Sequence, residues 1–397
     1  MTAMKSELER IFRAGVTACQ PESVLPPHFA GLDGKRILVL AVGKAAGGMA
    51  AAAERHFGDK AEGLAVLPHG LCAPLERMVV ARAGHPLPDG NSVEAAERLI
   101  ALASEAQDGD LVLVLLSGGA SALACLPGAG LSLADKKALT DRLLRCGAAI
   151  DEINAVRRHL SRIKGGRLGQ AVAPARLVTL AISDVVGDRP ETIGSGPTAA
   201  DPLSLDQAKA VLVRYGIEAL AEGWSETAKE VTGDYRIVAC NGDALAAAAA
   251  EARRLGFEPR LIEDEAGEAR DAGRRHSEVA LGLPPGTALI SGGEVVVTVR
   301  GRGRGGPSQE YALGAALALA GRSGIFGLAA DTDGIDGRSE AAGAFFDGGT
   351  IARFRGDPRS LLEANDSGRL FETLGDLLVT GPTGTNVNDL RIMLTAH

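Results

Sequence analysis

The sequence predicts an α/β protein of two domains, each a sheet of buried strands covered by helices, and three observations carry that expectation. Short, largely apolar runs recur at 36–42, 63–68, 111–117 and 177–183. Continuous rather than alternating hydrophobicity means burial on both faces, as in parallel sheets flanked by helices. Helical patterns separate the runs, clearest at 93–106 and 134–147. A second series of strand-like runs follows at 236–240, 259–263, 288–300, 326–330 and 377–381, with an alanine-rich segment at 243–256 that is helical by propensity alone. Strands and helices alternating in two series imply two α/β domains of similar construction. The polar stretch Glu222–Asp234, where strand signals pause, divides them, giving domains at 1–230 and 231–397.

One stretch needs separate treatment, because Leu111 to Ala134 carries no charge and is long enough to span a bilayer. Gly118, Gly119 and Pro127 interrupt it, so it is expected as a buried strand, a glycine turn and the start of a helix. The N-terminal MTAMKSELERIFRAG carries acids and no apolar core, unlike a signal peptide.

Composition narrows the function. The 397 residues carry 42 Lys and Arg against 50 Asp and Glu, a net charge of -8, and few aromatics (one Trp, three Tyr, nine Phe). A nucleic-acid binder normally shows a basic face studded with aromatics, so that class is excluded, and no membrane association is expected. The 52 glycines follow no Gly-X-Y period, which leaves tight turns and backbone lying close to a ligand as their use. Five scattered cysteines (Cys19, Cys72, Cys125, Cys146, Cys240) form no C-x-x-C pair and no zinc spacing. They are expected as reduced, small apolar side chains in a cytoplasmic protein.

Strand ends that run into Gly-rich turns are where an open α/β sheet binds ligands. The first is Gly43-Lys44: Gly43 permits the turn, and Lys44 stands at the mouth of the next helix, an ammonium suited to an anionic substrate or a phosphoryl group in flight. A Walker A spacing is missing there. The second is Ser117-Gly118-Gly119-Ala120-Ser121, whose small residues at a helix start expose N–H groups to a phosphate. It does not match the G-x-S-x-G elbow of serine hydrolases. The third, 154–167, packs five Lys and Arg into its last eleven residues. On a helix, Arg157, Ser161 and Lys164 share one face, able to neutralise nucleotide phosphates or a substrate carboxylate. His159 is expected to be structural. The fourth holds Asp184 and Asp188, after the run at 177–183. A carboxylate at a buried strand end needs a use: general base toward a substrate hydroxyl, Mg²⁺ ligand, or partner of Lys44. Either Asp184 or Asp188 could be the base.

The second half adds Glu294 after Ser291-Gly-Gly, and the Gly-rich arginine loop Arg302-Gly-Arg304-Gly-Gly-Pro-Ser-Gln309 opening a helix, suited to phosphate or carboxylate capture. It also bunches acids at Asp331-Thr-Asp333-Gly-Ile-Asp336, which lacks the spaced Glu of a calcium loop, and places a polar Gly-rich stretch around Asn386.

Taken in order, VGKAAGGMA, GHPLPDG, LLSGGASAL, NAVRRHLSRIKGGRL, SDVVGDRPETIGSGPT, SGGEVVVTV, GRGGPSQE, DTDGIDG and TGPTGTNVNDL resemble the glycerate 2-kinase family of the MOFRL type, whose members are often called hydroxypyruvate reductases. The resemblance runs from about Gly43 to Asp389. It implies a Rossmann-like parallel sheet in the N-terminal domain, a smaller mixed α/β C-terminal domain and an active site in the cleft between them. It also implies transfer of the ATP γ-phosphoryl group to the 2-hydroxyl of D-glycerate, with Mg²⁺ held by Asp184. Lys44, Asp184 and Arg304 match positions linked to catalysis or substrate binding. Gly43, Ser117, Gly118, Gly119, Ser121, Arg157, Lys164, Asp188, Glu294, Gln309, Asp333 and Asn386 complete the candidate binding set. A homo-oligomer is compatible with the sequence. Three positions depart from the family pattern: Ala120 replaces a frequent Gly, Ser308 a frequent Asn, and Pro307 an Arg of some relatives. If that arginine clamps the substrate, its task falls here to Arg302 or Arg304.

Two rival classes remain. A nicotinamide reductase needs a strand followed by G-x-G-x-x-G, which 301–306 formally supplies, but two arginines would crowd that loop, and no acid-ended strand follows at the right distance. A non-catalytic sugar-phosphate sensor would have no use for Lys44 and Asp184 together.

Overall fold

The computed structural model of the chain describes residues 2–397. The first sheet is built from β1 (Ile37–Val42), β2 (Ala61–Pro68), β3 (Met78–Ala83), β4 (Leu111–Leu116), β5 (Arg176–Ile182) and β6 (Asp234–Ala239), in the order β3-β2-β1-β4-β5-β6. The pairs from β3 through to β5 are parallel, with Leu40 opposite Leu64 on one side and Val114 on the other. Every residue of β1 and β4 is buried, which is why both read as unbroken apolar runs. Helices connect the strands, among them Gly90–Ser104, where Asp89 and Ser92 form a capping box, and Leu133–Arg145, capped the same way by Ser132 and Asp135. The charge-free stretch resolves into β4, a glycine turn and the short helix Ala120–Leu123. Strand order reverses between β1 and β4, the switch point where a doubly wound sheet opens a crevice at its carboxyl edge.

The second sheet comprises β7 (Glu258–Ile262), β8 (Thr287–Ser291), β9 (Ile325–Asp331), β10 (Gly343–Asp347), β11 (Leu377–Leu378) and β12 (Asp389–Thr395), ordered β11-β10-β9-β12-β8-β7. It is mixed: β7 and β8 are parallel, and the remaining pairs are antiparallel. Antiparallel pairing of β12 with both β8 and β9 brings the ends of β8 and β9 and the start of β12 to one edge.

Compact units form from Pro21–Val238, and from the residues up to Gln20 together with Ala239–His397. The sequence expectation of 1–230 and 231–397 differs at both ends for physical reasons. The run 236–240, expected to open the second series, forms β6 at the edge of the first sheet. The helix Thr2–Ala18 packs Leu8, Ile11, Phe12 and Val16 against Leu245, Ala248, Ala249 and Ala252 of the helix Asn241–Arg254. Each of the Leu, Ile, Phe and Val side chains contributes about 1.5–3 kcal/mol relative to exposure, and each alanine less. Lys5–Asp376 and Arg10–Glu251 ion pairs flank that seam.

Candidate active site

At the switch point the turns after β1 and β4 are bonded to each other. Lys44 N donates to the Gly118 carbonyl at 2.8 Å and Ala45 N to Ser117 Oγ at 3.0 Å. Gly43 is obligatory: its φ is +138°, and a Cβ there would lie 2.1 Å from Ser117 Oγ. Gly119, at φ +85°, would place a Cβ 2.9 Å from the His85 ring and 3.5 Å from Lys44 Cγ, so those two side chains converge on it. Lys44 and Asp184 are both half-buried. Asp184 follows β5, two strands from β1, a separation of roughly 10 Å at the usual strand spacing. Asp188 lies four residues on, half-buried, at φ +49°.

Beside this edge sits a concentration of positive charge. Ser121 Oγ accepts from Arg157 at 2.8 Å and from Lys164 Nζ at 3.0 Å, and Lys164 also donates to the Ser121 carbonyl at 2.7 Å. With both lone pairs of Ser121 Oγ used, its own proton goes to Ser195 Oγ, 2.9 Å away, which leaves the Ser195 proton available for another acceptor. Lys164 is 1% exposed, and burial, reinforced by the Arg157 charge, holds its ammonium well below the usual lysine range. Burial likewise lowers Lys136 to about 8. Among the described residues no carboxylate pairs with Arg157, Lys164 or Lys136. Buried cations without counter-charge carry a desolvation cost that an anion beside them would offset.

The route to that convergence differs from the expected helix face. The helix Ile150–His159 ends before Ser161, whose hydroxyl turns back to the Leu126 carbonyl at 3.1 Å. Lys136 holds the end of that helix, donating to the Arg157 and Leu160 carbonyls at 3.1 and 2.8 Å. Gly165 and Gly166 then bond to the Ser195 and Gly196 carbonyls, so the turn carrying Lys164 is fixed against the Gly194-Ser195-Gly196 loop. His159 is structural as expected, bonded to the Ala155 carbonyl and Glu226.

The second unit brings its candidates to one edge of its own sheet. The Gly-rich loop 301–306 lies on residues 364–368: Asn365 Oδ1 accepts from Arg300 N and Gly301 N, and Asp366 Oδ1 accepts from Arg304 N. The Arg304 side chain is exposed. Gln309 is fully buried beneath the loop, beside Gly305 and Gly368. Asp333 Oδ1 closes a turn onto Ile335 N, Asn386 Oδ1 accepts from Asn388 N, and the exposed Glu294 borders the same cleft as Gly305.

Asp336, not Ser308 or a bound group, caps the helix Pro307–Leu319, accepting from Ser308 N at 3.0 Å and Gln309 N at 2.8 Å. Burial, with Asp389 nearby, raises its carboxyl to about 8. Ser308 Oγ in turn donates to Asp389, which is paired with Arg391. The N–H groups that a dinucleotide pyrophosphate would use are therefore taken. The expected strand before 301–306 is also absent: 294–300 forms only an isolated bridge at Val296.

The sequence carries no signal for the roles of His85, Lys136 and Ser195, and it shows Asp336 only as one of a bunch of acids, not as a helix cap. Among the described residues no group of three or more His, Cys, Asp and Glu side chains could cage a metal. Mg²⁺ is commonly held by one or two carboxylates plus phosphate oxygens, and Asp184 offers a donor of that kind. No helix of the described residues is long and apolar enough to cross a membrane.

Residues 7–227 match the family described as a domain of unknown function, DUF4147, and residues 287–389 match the MOFRL family. The chain is 44% identical, over 98% of its length and 93% of the relative's, to an Agrobacterium vitis protein provisionally named hydroxypyruvate reductase. It is 39% identical, over 99% of its length and 98% of the relative's, to D-glycerate 2-kinase of Thermotoga maritima. A crystal structure of glycerate kinase from Thermotoga maritima matches with a TM-score of 0.91 at 39% identity, covering 100% of both chains.

Proposed function

Because the chain belongs to the glycerate 2-kinase family of the MOFRL type, we propose that it transfers the γ-phosphoryl group of ATP to the 2-hydroxyl of D-glycerate, giving 2-phosphoglycerate. The observation that carries this reading is the cluster of buried cations at Ser121, without carboxylate partners among the described residues and on the same sheet edge as Lys44 and Asp184. Phosphoryl transfer asks a protein mainly for positioning and charge neutralisation. Arg157, Lys164 and the Ser195 hydroxyl hold an anionic group. Lys44 supplies charge to the transferring phosphoryl. Asp184 accepts the proton of the attacking hydroxyl or holds Mg²⁺, with Asp188 the alternative base. Mg²⁺, when bound, neutralises phosphate charge. In the second unit Arg304, Glu294, Asp333 and Asn386 contribute binding contacts, and Gln309 supports the arginine loop from beneath.

A reductase is disfavoured by Asp336, which occupies the helix N-terminus that a dinucleotide would need. The five free cysteines suit a reducing compartment, and we place the enzyme in the cytoplasm. The test is phosphorus NMR of D-glycerate, ATP and Mg²⁺ with the protein, beside hydroxypyruvate with NADH and NADPH. A 2-phosphoglycerate signal without nicotinamide oxidation is expected. Nicotinamide oxidation alone would overturn the proposal.

A further inference from the structure

A cleft of about 390 Å³ opens beside the Gly-rich loop of the second unit, within the size range of small-molecule sites. One wall is the extended segment 295–300. Its even-numbered residues are committed to neighbours: Val296 N donates to the Gly267 carbonyl, Thr298 N to Glu268, and Arg300 N to Asn365, while the Val296 and Thr298 carbonyls accept from Ala269 N and Asn365 Nδ2. Alternation along an extended chain turns the groups of the odd residues to the opposite side. The N–H and C=O of Val297 and Val299 have no hydrogen-bond partner among the described residues. Those valines line the cleft, and Val299 is 70% exposed.

The rest of the cleft is largely bare backbone, with one exposed acid, Glu294, and one exposed cation, Arg338. Gly303 and Gly305 line it, and neither tolerates a side chain: a Cβ on Gly303 would meet Asp366 at 2.4 Å, and one on Gly305 would meet Ser367 Oγ at 2.6 Å. Arg338 lines it too, exposed and with no ion-pair partner among the described residues. The buried acid Glu310 is already taken by Arg270 and Asn365.

A single residue of an extended chain offers a donor and an acceptor side by side, the complement of adenine N1 and its 6-amino group. Apolar side chains and glycine backbone accept a flat aromatic ring, and a guanidinium suits phosphate oxygens. Two open residues are too short a run for an added peptide strand, which pairs along several. We propose that this cleft binds the adenine nucleotide, its base against Val297 and Val299 and hydrogen-bonded to their open backbone groups, its phosphates toward Arg338. The proposal rests on the kinase reading above, and it assigns the base of the phosphoryl donor a seat which that reading left open.

Isothermal titration of the full-length protein with adenosine and with MgADP tests it, using Val299→Glu, Arg338→Ala and the control Val213→Glu, whose side chain is 80% exposed elsewhere. Because Val299 is exposed, Val299→Glu keeps the wild-type melting temperature. It weakens both adenosine and MgADP by about tenfold or more, the range for altering one apolar pocket contact. Arg338→Ala weakens MgADP and leaves adenosine unchanged, and Val213→Glu changes neither. MgADP binding to Val299→Glu at wild-type strength, or no MgADP binding by the wild type, overturns the proposal. Formation of 2-phosphoglycerate is scored separately. Product made by a wild type whose MgADP binding ignores Val299 refutes the cleft alone. Val299-dependent binding without product refutes the kinase reading alone.

Discussion

Lys164 grips Ser121 twice, donating to its carbonyl oxygen at 2.7 Å and to its hydroxyl at 3.0 Å, while Arg157 donates to the same hydroxyl. A buried ammonium with only neutral acceptors carries a desolvation cost, which an anion beside it would offset. Lys164→Met should therefore leave the melting temperature unchanged or raised, since replacing a buried charge by an apolar group of similar volume is often stabilising. It should lower kcat/KM by at least about a hundredfold, the cost of deleting one well-placed donor to developing negative charge. Thermal unfolding and steady-state kinetics on the same preparation check both. Intact activity would remove Lys164 from the site.

Lys136 gives a pH signature. Its ammonium is lowered from 10.5 to about 8 by burial, so between those values the unfolded chain binds more protons than the folded one, and stability rises with pH. The penalty is full below about pH 8 and gone above 10.5. Relative to Lys136→Met, the wild type should gain on the order of 3 kcal/mol between pH 7 and 11, at 1.36 kcal/mol per pKa unit. Denaturant titrations of the two proteins at both pH values measure it, and parallel curves would contradict it.

Much of this arrangement was legible in the chain. The runs at 36–42 and 111–117 read as buried strands because nothing polar interrupts their interiors, and the glycines that follow mark turns at their carboxyl ends; that these two turns meet at the switch point is set by the strand order. β12 was not legible, because Arg391 breaks its apolar run. Only the fold supplies the Gly292 and Gly293 carbonyls and the Asp389 carboxylate that let that guanidinium be buried. Topology brings His85 beside Gly119 and loop packing brings Ser195 to Ser121, and no spacing along the chain marks either. The helix face predicted to join Arg157 to Lys164 does not form, and the two meet instead because Lys136 and the 194–196 loop fix the turn.

Gly43→Ala tests the join between the β1 and β4 turns. The added Cβ would lie 2.1 Å from Ser117 Oγ and 2.6 Å from the Ser117 carbonyl, at a φ of +138°. Strain and overlap together should cost more than about 2 kcal/mol and displace Lys44. The expected outcome is a lower melting temperature with activity lost beyond what the stability change explains. Ser117→Ala in the same background should not rescue it, because the backbone clash remains.

Asp336→Ala leaves Ser308 N and Gln309 N without their acceptor, at about 1–3 kcal/mol for each buried group. The pH dependence has a definite sign. A carboxyl raised to about 8 by burial binds its proton in the folded state where the unfolded chain has released it, so its ionisation destabilises the protein increasingly from pH 4 to 8. Removing Asp336 abolishes that penalty along with the cap. The destabilisation should therefore be larger at pH 5 than at pH 9 in denaturant unfolding, and the opposite order would mean the carboxylate is stabilised as an anion.

Asp184→Asn separates proton transfer from structure. Asp184 is half-buried at the end of β5, and asparagine matches its size, so the melting temperature should hold. If the carboxylate accepts the proton of the attacking hydroxyl, kcat should fall by at least about 10²-fold, a typical worth of general-base catalysis. The fall should persist at saturating Mg²⁺. A defect that high Mg²⁺ repairs would instead make Asp184 the metal's ligand and move the base to Asp188, which Asp188→Asn would then reveal by the same loss. Near-normal turnover in a well-folded Asp184→Asn protein would exclude both roles for this residue.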